Sequence, residues 1–188
     1  MLNDSNICLH CLYELEPKFI KFKVNNYSAI AVYEYTDRIK SLLYQFKGCF
    51  DIEIFDVFLE RFKHELKMMF YGYHMVPIPS YKDDDERREF NHVEEMFKVI
   101  KLPMIKALVK TSHIKQANSP FQERQKISKY LELINGVDLS GKKVLIVDDV
   151  YTTGSTMKAA IALIEKLHPK TIKVLVMSKA INKNEEVE

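Results

Sequence analysis

The sequence predicts an α/β fold in which helices flank a mostly parallel central sheet. From Tyr27 onward, apolar β-branched segments of strand length alternate with amphipathic segments of helix length along the 188-residue chain. Because crossovers of this length connect parallel strands, such a sheet is covered by helices on both faces. Its ligands bind beyond the carboxyl ends of the strands, so the loops after residues 79, 109 and 148 are the first candidates for a site.

Five segments have the composition of strands. Residues 27–35 are β-branched and aromatic, which indicates a strand or half of a hairpin. Residues 74–79 (HMVPIP) form a short apolar run that two prolines terminate. The other predicted strands are 104–109, 143–147 and 171–177.

Helices are predicted between these strands. Thr36 can cap a helix that ends near Gly48. A longer helix is expected over 55–69, because apolar residues recur there at spacings of three and four. The segment 119–122 (SPFQ) resembles a helix start, with serine at the cap and proline at the first position. Further helices are expected over 90–100 and over 155–167, where Pro169 stops the second one.

Length and composition favour one globular domain with a small appendage. Hydrophobic residues make up 47% of the chain and charged residues 29%, as in ordinary globular proteins. The first residues lack the features of a secretory signal, and no window approaches the roughly 18–20 apolar residues of a membrane span. We therefore expect a cytoplasmic protein without membrane insertion, in which residues 1–26 form the appendage and 27–188 the domain.

The charge distribution says more than the net charge of +2. Segment 110–129 holds five basic residues against Glu123 alone, a local balance of +4. Such a surplus suits a ligand that carries phosphate. A solvated loop and helix face is the alternative, and composition alone favours it.

The strongest functional signal is the thirteen-residue string 144–156 (VLIVDDVYTTGST). Asp148 and Asp149 follow an apolar strand, where carboxylates are costly unless something uses them. Hydroxyl residues around Gly154 then stand at the mouth of a helix, where free N–H groups and the helix dipole favour an anion. An aspartate turn followed by an ordinary helix cap is the alternative, and the length of the string argues against it.

These residue types predict a site for a ribose-phosphate group. The two carboxylates would accept hydrogen bonds from the 2′ and 3′ hydroxyls, and the hydroxyl-rich loop would hold the 5′-phosphate. The residues predicted to bind it are Asp148, Asp149, Val150, Tyr151, Thr152, Thr153, Gly154, Ser155 and Thr156.

The string resembles the phosphoribosyl pyrophosphate (PRPP) signature of type I phosphoribosyltransferases, and other segments resemble their ComF branch of competence proteins. Cys8-Leu-His-Cys11 looks like the second half of the ComF zinc ribbon, and 39–48 (IKSLLYQFKG) looks like its helix with a Lys-Gly end. The segments 76–79 (VPIP) and 88–91 (REFN) match its pyrophosphate-loop region.

The resemblance implies a type I phosphoribosyltransferase fold that binds PRPP together with Mg²⁺, which bridges the pyrophosphate and ribose oxygens. It implies a pyrophosphate loop and, over 110–124, a flexible loop that closes over the site. The pyrophosphate-loop residues are Ser80, Tyr81, Lys82 and Arg88, and the flexible-loop residues are Lys115, Gln116 and Arg124.

The chain departs from the ComF pattern in two places. The family ribbon has two CxxC pairs and this chain has one, so Cys8 and Cys11 form an incomplete zinc half-site and bound zinc is not expected. We expect a degenerate ribbon with free thiols, and a site shared across a homodimer is the alternative. The segment 88–92 reads REFNH where the family has RGFNQ, which adds Glu89 near the predicted pyrophosphate site.

The resemblance implies two functions. One is a competence protein for DNA uptake, whose pocket binds PRPP or ribose 5-phosphate and which works with single-stranded DNA and a helicase partner. The alternative is an active Mg²⁺-dependent phosphoribosyltransferase that acts on an unidentified nitrogen nucleophile in nucleotide metabolism. The sequence identifies no catalytic residue, so it leaves open whether the protein is an enzyme.

Overall fold

The computed structural model describes residues 15–48, 58–80, 91–110 and 131–181. The strands in these ranges are β1 (Ile20–Val24), β2 (Tyr27–Glu34), β3 (Tyr73–Pro77), β4 (Leu108–Lys110), β5 (Leu131–Leu133), β6 (Lys143–Tyr151) and β7 (Thr171–Lys179). The α-helices are α1 (Asp37–Gly48), α2 (Lys63–Met69), α3 (His92–Lys98) and α4 (Ser155–Glu165).

The central sheet has five strands in the order β1-β2-β7-β6-β3. The strands β2, β7, β6 and β3 are parallel, and β1 is an antiparallel edge strand that forms a hairpin with β2. The predicted mostly parallel α/β fold is therefore confirmed. Since the four parallel strands end at the same edge of the sheet, the residues that follow them are brought together there.

The centre of the sheet is buried on both faces, as the apolar run of β6 predicts. Leu145 and Val147 pack with α1, α2 and α3, whereas Val144 and Ile146 pack with α4 on the other face. All four side chains have 0% exposure. This rigid strand carries the aspartate pair, Asp148 and Asp149, at its end.

Three predicted elements differ most from those in the structure. The described part of the helix expected over 55–69 is a 3₁₀ turn at Glu60–Phe62 followed by α2, because the Phe62 N–H bonds the carbonyl of Leu59, three residues back. The strand expected over 104–109 is only an isolated bridge at Met104 followed by β4. Conversely, β6 extends through the aspartates to Tyr151, because β7 continues to pair with it.

Parts of the predicted architecture lie outside the described residues, including 1–14, 49–57 and the helix start expected at 119–122. The described part of the predicted appendage supplies β1 to the central sheet. The division at residue 26 and the degenerate zinc ribbon stay predictions. No helix in the described ranges has the length and apolar character needed to cross a membrane.

Tyr33 on β2 is buried, and its hydroxyl donates a hydrogen bond of 2.8 Å to the carbonyl of Phe58. We expect Tyr33→Phe to lower the free energy of unfolding at pH 7 by about 1 kcal/mol, the net value of one hydrogen bond. Because burial raises the pKa of Tyr33 above its ordinary 10.0, the wild type should also lose stability above pH 10, and the variant should lose less.

Urea titrations at pH 7 and pH 10.5 test both expectations. Tyr71→Phe is the matched control, since the Tyr71 side chain is 80% exposed. Equal unfolding free energies for the two variants at pH 7 would show that the Tyr33 hydroxyl contributes nothing.

Candidate functional site

The candidate site lies at the carboxyl edge of the sheet, where β6 ends and α4 begins. Asp148 is half-buried and its Oδ1 accepts a 2.9 Å hydrogen bond from the N–H of Asp149. Asp149 is buried, with 7% exposure, and its carbonyl accepts a 3.4 Å hydrogen bond from the Ser178 hydroxyl on β7. The aspartate pair is thus held by the sheet itself rather than by a loose loop.

The segment at the N-terminus of α4 comprises residues 152–156, four of which carry hydroxyl groups, and we call it the phosphate cradle. The Oγ atoms of Thr153 and Ser155 are 3.1 Å apart, and the Ser155 N–H donates to the Thr153 Oγ1 at 3.4 Å. The N-cap of α4 is a glycine and provides no side-chain cap, and the first turn of α4 contains no acidic residue. The cradle therefore offers amide and hydroxyl donors to an anion at the positive end of the helix dipole.

Gly154 is the N-cap of α4, with a left-handed φ of 72°. A Cβ on Gly154 would overlap the ring of Tyr151, 2.6 Å from its Cζ. The Tyr151 ring packs in turn on Phe22 of β1, with 4.8 Å between the ring centroids. Glycine is thus needed for both the backbone conformation and the close approach of the Tyr151 ring.

Two adjoining depressions surround the aspartate pair. The one over the cradle has a volume of about 40 Å³. The other, which we call the side cavity, has a volume of about 220 Å³ and reaches from β6 to the end of β3. The side cavity is lined by Ile78, Pro79, Ser80, His92, Val93, Lys110, Asp148, Asp149, Val150 and Thr156. Both are lined by Asp148, Val150 and Thr156, so one ligand can occupy the cradle and extend into the side cavity.

His92, the first residue of α3, was not among the residues predicted to form the site. Its ring is buried, with 7% exposure, and lies between two groups of the side cavity. Its Nδ1 is 2.8 Å from the Ser80 Oγ, and its Nε2 is 3.7 Å from the Asp149 Oδ2. The sequence signal was present, because His92 ends the REFNH segment, but only the fold puts it beside Asp149.

The structure brings some of the predicted site residues together. Ser80 of the predicted pyrophosphate loop faces the aspartate pair across the side cavity, and the predicted cradle residues surround the mouth of α4. Lys110, the first residue of the basic segment, lines the same cavity. The predicted residues outside the described ranges are Cys8, Cys11, Tyr81, Lys82, Arg88, Lys115, Gln116 and Arg124.

The carboxylate and hydroxyl oxygens at this edge could serve as ligands of a metal ion, and the backbone amides of the cradle can donate hydrogen bonds. Among the described residues, no group of three or more His, Cys, Asp or Glu side chains could hold a metal ion. Oxygen ligands suit Mg²⁺, which keeps waters and the phosphate oxygens of a substrate among its ligands. A magnesium ion that enters with its phosphate ligand fits such a site.

Comparison with known protein families gives a match to the phosphoribosyl transferase domain over residues 94–188. This match covers just over half of the chain. It runs from α3 to the end of the sequence and includes the aspartate pair and the whole phosphate cradle.

The relatives include two competence proteins named ComFC. The protein from Bacillus subtilis is 31% identical over 139 residues, 72% of this chain and 58% of the relative. The protein from Streptococcus pneumoniae is 28% identical over 143 residues, 76% of this chain and 64% of the relative. The chain thus spans about three-fifths of the length of these relatives. Among solved structures, a hypoxanthine-guanine phosphoribosyltransferase from Bacillus anthracis aligns over 73% of this chain and 76% of its own, with a TM-score of 0.45 and 14% identity.

Proposed function

Since the chain belongs to the phosphoribosyl transferase domain family, we propose that the site at the end of β6 binds the ribose 5-phosphate group of PRPP. The observation that carries the proposal is the continuity of the cradle and the side cavity around the aspartate pair. An anion in the cradle and a diol against the aspartates are the two ends of one ribose 5-phosphate group.

The phosphate of this ligand occupies the cradle. Ser155 and Thr156 present hydroxyls and the first amides of α4, and Gly154 lets the backbone approach the phosphate closely. The hydroxyls of Thr153 and Ser155 lie 3.1 Å apart and the Ser155 N–H donates to the Thr153 Oγ1, so these groups turn from one another to the phosphate when it binds. The cradle supplies most of the affinity for the 5′-phosphate.

The ribose and the pyrophosphate lie toward the side cavity. The aspartate pair accepts hydrogen bonds from the two ring hydroxyls, and charge-assisted hydrogen bonds of this kind are the stronger ones. The pyrophosphate points toward Ser80, at the end of the described part of the predicted pyrophosphate loop. Magnesium is held by oxygen atoms of PRPP itself and neutralises part of its charge there.

The biological setting that we propose is competence, because the two relatives with the longest matches reported above are competence proteins. In this role the PRPP pocket belongs to a protein of DNA uptake that acts with single-stranded DNA and a helicase partner. The basic segment 110–129, with a charge balance of +4, is the part of the sequence that suits a strand of nucleic acid.

We expect PRPP with Mg²⁺ to raise the melting temperature of the protein. A ligand at a hundred times its Kd adds about 2.7 kcal/mol to the unfolding free energy, which corresponds to roughly 5–10 °C for a chain of this size. Ribose 5-phosphate should give a smaller increase, because it lacks the pyrophosphate. For comparison, the melting temperature is measured with a short single-stranded oligonucleotide in place of PRPP, at low and at physiological salt. An increase with the oligonucleotide and none with PRPP would overturn the proposed site.

A second candidate function is transfer of the phosphoribosyl group to a nitrogen nucleophile. The side cavity favours it, because its 220 Å³ extend from the aspartate pair to Ser80, where a departing pyrophosphate would stand. Release of pyrophosphate from PRPP and Mg²⁺ in the presence of a panel of amines and nucleobases tests this function. If PRPP binds but no mixture releases pyrophosphate, the transfer function is contradicted and only the binding function stands.

A further inference from the structure

We propose that His92 couples proton binding to pyrophosphate binding, so that the protein takes up a proton when PRPP fills the site. The inference rests on the proposed PRPP function and assigns His92 and Ser80 as positioning residues within it. Its basis is the arrangement of the half-buried Ser80 with the buried His92 and Asp149, with 2.8 Å between the Ser80 Oγ and His92 Nδ1 and 3.7 Å between the His92 Nε2 and Asp149 Oδ2.

The hydrogen-bond roles in the neutral state follow from the chemistry of the three groups. An ionised carboxylate only accepts hydrogen bonds, so the His92 proton is best placed on Nε2, facing Asp149. The Nδ1 atom is then an acceptor, and the Ser80 hydroxyl must donate its only proton to it. In this state Ser80 has no proton to offer to a pyrophosphate oxygen.

Protonation of His92 reverses the bond to Ser80. Both ring nitrogens then carry protons, so Nδ1 donates to the Ser80 Oγ and the hydroxyl proton turns into the side cavity. The imidazolium also adds a positive charge beside Asp149, at the wall of the cavity that the pyrophosphate enters. Pyrophosphate therefore binds the protonated state more tightly, and by linkage its binding raises the proton occupancy of His92.

In the part of the chain that the structure describes, the other charged groups near His92 belong to β6, β4 and α3. Asp148 lines the side cavity from β6, and Lys110 lines it from β4. On α3 itself, Glu94 is paired with Lys106 at 2.7 Å and Glu95 with Lys98 at 3.3 Å. Carboxylates and amines ordinarily titrate far from pH 6–8, whereas imidazole titrates near 6.5. His92 is thus the group among them whose chemistry suits proton uptake near neutral pH.

The test is calorimetry of PRPP binding with Mg²⁺ at pH 7.5, in two buffers of different ionisation enthalpy. The difference in heat between the buffers gives the number of protons taken up. The comparison variant is His92→Gln, because a glutamine amide can donate to Asp149 and accept from Ser80 but cannot take a proton. Protons taken up by the ligand itself are the same for both proteins.

We expect the wild type to take up as much as about one proton more than His92→Gln. Its affinity for PRPP should also rise on acidification from pH 8 to pH 7, by up to about tenfold relative to the variant. Ribose 5-phosphate lacks the pyrophosphate, so the two proteins should take up equal numbers of protons with it.

Equal proton uptake with PRPP in wild type and His92→Gln would overturn this inference while leaving the PRPP site intact. Absence of PRPP binding in the wild type would instead overturn the proposed function. If His92→Gln does not fold, Ser80→Ala replaces it, because the half-buried Ser80 lies in a loop. Ser80→Ala should bind PRPP about tenfold more weakly and with less proton uptake, and unchanged values for both would also count against the inference.

Discussion

The double variant Asp148→Asn/Asp149→Asn should bind PRPP about 10²–10⁴-fold more weakly than the wild type. In the proposed site each carboxylate accepts a hydrogen bond from a ribose hydroxyl, and a hydrogen bond to a charged group contributes about 1.5–3 kcal/mol. Asparagine has nearly the same shape, and its oxygen can still accept the N–H bond that the Asp148 Oδ1 now accepts. The fold should therefore persist, and titration calorimetry with PRPP and Mg²⁺ measures the loss.

Asp138→Asn is the matched control for this double variant. It removes the same kind of charge in the turn before β6, at the opposite end of the strand from the aspartate pair. Asp138 accepts a 2.8 Å hydrogen bond from the Ser140 N–H, which lowers the pKa of its carboxyl group, so the control can affect stability. It should leave PRPP binding unchanged. A double variant that folds and binds PRPP like this control would refute the assignment of the aspartates to the ribose hydroxyls.

Gly154→Ala should destabilise the protein by about 2–5 kcal/mol. A left-handed φ costs an alanine about 1–2 kcal/mol, and the new Cβ must displace the Tyr151 ring, which adds about 1–3 kcal/mol of overpacking. Because the ring lies against Gly154, its displacement should shift the donors at the N-terminus of α4 that hold the phosphate in the proposed site. The affinity for ribose 5-phosphate should fall by roughly 10–100-fold through the loss of one or two hydrogen bonds.

Gly136→Ala and Gly141→Ala separate the two causes. Their φ angles are 81° and 70°, close to that of Gly154, but a Cβ at either position would have no atom within 4 Å. Both should lose only the 1–2 kcal/mol of backbone strain and bind ribose 5-phosphate normally. Urea titration and calorimetry on the three variants give both quantities. If Gly154→Ala behaves like Gly141→Ala in both, the contact with Tyr151 does not hold the cradle in place.

Much of the fold was predictable because helices and parallel strands leave local patterns. The resemblance to the ComF family, first indicated by motifs, is confirmed by the two competence proteins among the relatives. The ends of the strands were less predictable, because pairing between residues distant in sequence decides where a strand ends. The strand expected to end at Val147 continues to Tyr151, because hydrogen bonds from β7 are available there. The strand expected over 104–109 is shorter, since Met104 pairs only with Met75 among the described residues.

The side cavity was the least predictable part of the site. Its polar residues come from five separate segments: the loop after β3, the start of α3, β4, the end of β6 and the start of α4. Parallel pairing of Pro77 with Val147 aligns the ends of β3 and β6, and Asn91 begins α3 by accepting a 3.0 Å hydrogen bond from the Glu94 N–H. Only these two arrangements together bring His92 between Ser80 and Asp149.

The sequence by itself determined the cradle and the aspartate pair, because their chemistry lies within one short segment. These groups extend from the end of the strand to the first turn of the helix, and their interactions join residues that are close in sequence. Any fold that contains this strand and helix would preserve those interactions. Tertiary structure alone decided the position of His92, which is 57 positions away from Asp149 (149 − 92). Contacts across such a separation depend on how strands pair and helices pack. Because many residues along the chain decide that packing, neither residue by itself reveals the contact.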